Sequence, residues 1–352
     1  MSLSTQKTHF QKGIKKIHTW LQEAIEIEHA TIPPYFTAWL SIKEGYNQES
    51  REIIKSVLIE EMLHLTLAAN ILNAVGGHPD LIHPKFVPRY PHKLPHSGDR
   101  FQIHIEKFSI QALKTFEKIE RPEPKGARPR AKQFKTIGQF YAAVGKHLDD
   151  LCEKYGEKKV FSGNARLQIQ HEDYYGSGAI VVVTGRDTAH QAIATIVDQG
   201  EGAHEGIFDP DKNILGRGSG MELAHYFRFM EISHGRHYRQ NDTLKSGPTG
   251  ARMKVDFEKI YSIKKDLHRD DYPKDCEARK ALDDFADSYG ELLKALHEAF
   301  NGHRSLLTAA IARMFLLRNQ AVALMRTPIG KGAGTLGLDF TQSTRKKRTV
   351  RD

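Results

Sequence analysis

Glutamate and histidine recur three residues apart five times, at Glu26/His29, Glu61/His64, Glu201/His204, Glu222/His225 and Glu231/His234. With 23 Glu and 19 His among 352 residues, random placement gives about 1.2 such pairs, so the excess calls for a reason. On a helix, residues three apart share a face, and a carboxylate oxygen and an imidazole nitrogen placed there reach the same metal ion. One architecture uses the spacing twice: a four-helix bundle in which two helices each supply a Glu and two each supply a Glu-x-x-His, together holding two iron or manganese ions.

Such a bundle orders its ligands as Glu, Glu-x-x-His, Glu, Glu-x-x-His. The set Glu28, Glu61/His64, Glu201, Glu222/His225 fits that order. Ligands that face each other across a helical hairpin lie at similar distances from its turn. Glu28 stands about fifteen residues before the first turn and Glu61 about thirteen into the next helix, which at roughly 1.5 Å per residue places them opposite one another. Glu201 closes its helix, so its partner belongs near the start of the next, where Glu222/His225 sits. Glu231/His234 is nine residues deeper and on the opposite face, and is the reserve pair. Each motif alone reads as a solvated or boundary pair; what argues for ligands is that Glu61 and His64 lie among Leu58, Met62 and Leu65, and Glu222 and His225 among Leu223, Tyr226 and Phe229.

The elements that must position these residues are helical. Residues 10–45 carry an apolar stripe at Ile14, Ile17, Leu21 and Ile25 that ends in Glu28, and Pro33-Pro34 predicts a kink or restart just beyond it. A second helix over 48–75 stops at Gly76-Gly77. Further helices are expected over 109–118, 137–155, 188–199 and 221–238, and a last hairpin over 275–300 and 305–325. Residues 120–135 read as a Pro/Arg/Lys linker, and a period near two over 165–169 and 179–183 suggests two short strands. The fold class expected is therefore mainly α: a four-helix bundle over 1–245 with a loop and β-insertion at 78–185, an extra C-terminal helical hairpin over 246–340, and a basic tail at 341–352.

Two cysteines exclude a disulfide framework and a thiolate-rich metal site within one chain. No run approaches the eighteen or so apolar residues of a membrane span and the polar start does not resemble a secretory signal, so a cytoplasmic location with no membrane partner is expected. The net charge of +9 resides largely in the tail TRKKRTVRD and in residues 125–135. The tail has no aromatic and the second block only Phe134, so they read as a solvated tail and a surface loop rather than a nucleic-acid interface. The loop histidines His78, His83, His92, His96 and His104 lack any fixed metal-ligand spacing. Tyr35, Tyr174, Tyr175 and Tyr226 are candidates for a pocket lining or a redox role, against the commoner reading as core residues with a satisfied hydroxyl.

The segments Glu28-His-Ala-Thr-Ile-Pro-Pro-Tyr35, Glu60-Glu-Met-Leu-His64, Ile196-Val-Asp-Gln-Gly-Glu-Gly202 and Glu222-Leu-Ala-His-Tyr-Phe-Arg-Phe229 resemble the ferritin-like family of the violacein-pathway iminophenylpyruvate dimer synthase type. The likeness continues at Ile119-Glu-Arg-Pro-Glu123, Thr136-Ile-Gly-Gln-Phe-Tyr141 and Leu324-Met-Arg-Thr-Pro328, over most of the chain. It implies a ferritin-like bundle with metal at the Glu and Glu-x-x-His positions, and leaves the substrate open.

Two readings of function follow. In the first, two iron ions, or manganese, held by Glu28, Glu61, His64, Glu201, Glu222 and His225 work with O2 to oxidise a small organic, amino-acid-derived or aromatic metabolite, as in secondary metabolism. The glycines after Glu201, the proline break and the loops 78–100 and 203–220 would then shape an entrance. In the second, the protein stores or detoxifies iron without an organic substrate. The apolar stretch 306–325 suits a homodimer interface as readily as a core.

Overall fold

The computed structural model describes residues 3–98, 101–124, 126–174, 178–202, 207–209, 222–330 and 332–341. Two long helices, α1 (Leu3–Ser41) and α2 (Gln48–Ala74), form an antiparallel hairpin in which His18 meets the Val75 carbonyl and Thr31 meets Glu61. Pro33 and Pro34 do not interrupt α1. They remove two N–H groups that would have bonded the carbonyls of residues 29 and 30, and the Tyr90 hydroxyl donates to the Ala30 carbonyl at 2.8 Å. The freed acceptor is thus satisfied from a neighbouring loop, and the helix runs on.

The other two rods of the bundle are each broken in the middle. Helix α3 (Ile110–Ile119) starts where Phe108 meets Ser41 and runs back along α1, with Phe116 against Tyr35. After the linker, α4 (Ile137–Tyr155) continues in the same direction, from Tyr141 beside Glu28 to His147 beside Gly13. A single turn, α5 (Glu157–Val160), follows. Helix α6 (Arg186–Gly200) descends along α2 until Gln199 reaches His64. The rod resumes as α7 (His225–His234), whose Arg228 reaches Ser56. Both breaks fall at the level of Glu61. The helix expected over 221–238 is shorter, because 222–223 pairs as strand β2 with β1 (208–209).

The two strands expected over 165–169 and 179–183 are not formed. Residues 165–167 make a 3-10 turn, and side-chain amides replace the ladder. Gln168 bonds both the N–H and the carbonyl of Val183, at 2.7 and 2.8 Å, while Asn70 donates to the carbonyls of Ile169 and Val181. Among the described residues the only paired strands are β1 and β2.

The last hairpin, α8 (Glu277–Phe300) and α9 (Leu306–Arg326), lies against the outer side of α1 and α2. Tyr289 bonds His29, the Phe300 carbonyl accepts from Asn73, and Phe340 stacks edge-on with Phe36, Phe285 and Tyr289. One apolar cluster runs without interruption from Ile17 through this hairpin to Phe340. Helix α2 is long and apolar enough to cross a membrane by length and composition, and most of that stretch is buried against other helices.

Candidate metal centre

Glu28, Glu60, Glu61, His64, Glu120, Glu201 and His225 are each 2% exposed or less, although carboxylates rarely tolerate full burial unpaired. They come from five elements: the middle of α1, the middle of α2, the C-terminal ends of α3 and α6, and the first residue of α7. Ligand atoms of Glu61, His64 and His225 lie within 4.8 Å of one another.

The arrangement consists of two half-sites that share Glu61. Its Oε1 lies 3.6 Å from His64 Nδ1 and 2.9 Å from His225 Nδ1. On one side Glu28 Oε2 stands 3.6 Å from His64 Nδ1, and on the other Glu120 Oε2 stands 3.6 Å from His225 Nδ1. The two imidazoles are stacked, with centroids 5.4 Å apart. Each of the three carboxylates turns its second oxygen to a hydroxyl: Glu28 Oε1 accepts from Tyr141 at 2.6 Å, Glu120 Oε1 from Tyr35, and Glu61 Oε2 meets Thr31 at 2.6 Å.

The outer ring nitrogens are held as well. His64 Nε2 meets Gln199 Oε1 at 2.9 Å and His225 Nε2 meets Glu60 Oε2 at 2.8 Å. With the protons on Nε2, both Nδ1 lone pairs face the shared carboxylate, the orientation that metal-ligating histidines adopt. His225 Nδ1 has no hydrogen-bond partner. A lone pair 2.9 Å from a carboxylate oxygen needs a proton or a cation between them, so the donor set fits a pair of cations, with oxygen and imidazole ligands of the kind iron and manganese take. Among the described residues Arg228 supplies the guanidinium here, and it pairs with Glu60 at 3.0 Å, leaving Glu28, Glu61, Glu120 and Glu201 without a Lys or Arg partner.

The electrostatics follow from this crowding. Burial raises the Glu61 carboxyl, and Glu120 beside it raises it further. Burial alone would lower His64 and His225, but the surrounding glutamates outweigh it and push both up. Burial would also raise Glu60, yet Arg228 and His225 hold it down at about 2. Tyr35 and Tyr141 are kept as neutral phenols, by burial first and then by Glu120 and Glu28 respectively.

Of the residues singled out from sequence, Glu28, Glu61, His64 and His225 are brought together. Glu201 is near but turned aside: Oε1 accepts from the Gly138 amide at 2.6 Å, Oε2 has no hydrogen-bond partner, and burial pushes the carboxyl up to about 8. A Cβ at Gly138 would lie 2.7 Å from Glu201 Oε2, so a larger residue there has to push that carboxylate aside. Glu222 lies on β2 before α7 begins, so it and His225 do not share a helical face as the spacing implied; its side chain lies outside the described residues, as do His204 and Tyr175. The reserve pair stands apart: Glu231 caps the Tyr238 amide and meets His237, while exposed His234 bonds the Met230 carbonyl.

Sequence reasoning missed Glu120, Glu60, Tyr141 and Gln199. A Glu that ends a short helix before a Pro/Arg/Lys linker reads as a surface residue, and only the collinearity of α3 and α4 places Glu120 inside. Of the loop histidines, His83 and His96 converge on Glu26, at 3.2 and 2.8 Å, while His104 bonds Asp266.

A family model described as "Ferritin-like" matches residues 21–234, more than half the chain. The chain belongs to the ferritin-like family. The matched span begins just before the Glu28 turn of α1 and ends at the last residue of α7, so it contains every residue of the centre. The fold is also that of a solved ferritin-like protein from Caulobacter vibrioides, with a TM-score of 0.62 at 21% identity over 88% of this chain and 94% of that one. No functionally curated protein matches significantly.

Proposed function

We propose that this ferritin-like protein holds two iron ions, with manganese as the alternative, and uses O2 to oxidise a small organic molecule. The observation that supports it is the pair of half-sites, Glu28/His64 and Glu120/His225, sharing Glu61 in a region with too few protein cations to balance its carboxylates. Glu201, and Glu222 ahead of α7, are the remaining carboxylates for the pair. Held by these residues, a metal pair would supply the redox equivalents for chemistry with O2. The chain supplies the rest: Gln199 and Glu60 fix the tautomer of each histidine, Thr31, Tyr35 and Tyr141 orient one carboxylate each, and Tyr35 and Tyr141 keep phenolic protons within hydrogen-bond range of Glu120 and Glu28.

The resemblance to the iminophenylpyruvate dimer synthase type favours an amino-acid-derived or aromatic substrate and a place in secondary metabolism. Elemental analysis of anaerobically prepared protein tests the reading. It expects about two metal ions per chain, as the two half-sites predict, their loss in Glu61→Ala/His225→Ala, and O2 uptake with aromatic or amino-acid-derived substrates. Metal loading with O2 uptake but no substrate turnover, in a cage-sized assembly, would instead favour iron storage. No metal uptake after Fe(II) reconstitution would overturn both.

A further inference from the structure

A cavity of about 320 Å³ lies on the other side of the α1–α2 hairpin, closed over by α8 and α9. Its walls are aliphatic and aromatic, with Phe36, Leu65, Leu293 and Leu296 among them, and no Asp, Glu, Lys or Arg lines it. Its volume is about twice that of an engineered cavity of roughly 150 Å³ that stays dry and holds benzene, and falls at the small end of ligand pockets. It opens at α9, where Phe315 lines the cavity and is 64% exposed.

The polar groups in this wall are few and mostly satisfied. Thr66 donates to the Met62 carbonyl, and the Tyr174 hydroxyl points to the Ile59 carbonyl. His29 bonds Tyr289 through Nε2 at 2.6 Å, while its buried Nδ1 has no partner. An apolar chamber of this size, whose polar wall groups are bonded to the protein or, like His29 Nδ1, enclosed by it, matches an uncharged ligand that is mostly hydrocarbon. The lack of any charged lining residue selects against an ionised one.

We propose that this cavity is a binding site for a neutral, mostly hydrocarbon molecule, held by its aliphatic and aromatic walls. The site is separate from the metal centre and does not depend on what that centre does. It gives the C-terminal hairpin a role beyond covering the bundle, since α8 and α9 form half the wall.

The test uses the full chain and the neutral fluorophore N-phenyl-1-naphthylamine. The expected result is saturable binding at about one site per chain, displaced by decanol or decanal at least about tenfold more tightly than by decanoate, whose charge would be buried unpaired. Ala310→Leu fills the chamber, and Met314→Trp blocks its partly exposed side. Each should weaken the probe at least about tenfold while the thermal midpoint and metal content stay within those of the parent. Non-saturable binding, binding unchanged in both filled variants, or decanoate binding as tightly as decanol would overturn the proposal.

Discussion

The two sides of the α1–α2 hairpin carry opposite chemistry on adjacent residues. Glu28, Thr31 and Tyr35 of α1 and Glu61 and His64 of α2 face the bundle axis and meet carboxylates and imidazoles. His29, Ile32 and Phe36, with Leu58, Met62 and Leu65, face the cavity under α8 and α9. A step of 100° per residue is enough to separate them. The histidines show what the difference does. His29, His64 and His225 are equally buried, yet burial drives His29 down to about 3, whereas the glutamates around His64 and His225 reverse the effect and drive both up. Burial alone does not set the charge of a buried histidine; the neighbours on its side of the helix do.

The strongest test of this contrast is Glu61→Ala/His225→Ala, which should abolish metal binding, read by elemental analysis, and leave probe binding in the cavity intact. Arg228→Ala comes next. It strands the buried Glu60 carboxylate and should cost about 3–5 kcal/mol in denaturant unfolding. On the apolar side, Leu293→Ala enlarges the cavity and should cost about 2–4 kcal/mol without changing metal content. Gly138→Ala forces Glu201 aside and should cost about 1–3 kcal/mol, measured the same way.

Metal-free protein should also show a pair of opposite pH slopes. His29 has a folded pKa below its unfolded value, so the unfolded chain binds the extra proton and stability falls as pH drops below about 6.5 toward 3. His64 and His225 have raised folded pKa values, so the stability they contribute is complete below the unfolded value and is lost as pH rises through the folded ones. His29→Gln should flatten only the acid limb, and His225→Ala only the upper one, in urea midpoints measured against pH. A change in the same limb for both variants would break the comparison.

Much of the helical framework was legible because apolar periodicity and the Gly76-Gly77 stop are local signals. The Glu28 and Glu61/His64 placement followed from hairpin symmetry, which needs only helix length. The prolines of α1 misled, since what keeps the helix whole is a hydroxyl from Tyr90, fifty-six residues from Pro34. Glu120 was invisible because its burial depends on α3 and α4 lining up across a linker.

The sequence by itself determined that the chain is helical, that it folds as a bundle with a C-terminal hairpin, and that carboxylates and histidines sit among apolar neighbours on α2. Those properties are written in periods of three and four residues, within reach of one helix. Tertiary structure decided which carboxylates converge. That choice depends on where two rods break, which hydroxyls orient the oxygens, and what covers the far side of the hairpin. Each is a contact between residues distant in the chain, fixed only when all the helices pack at once.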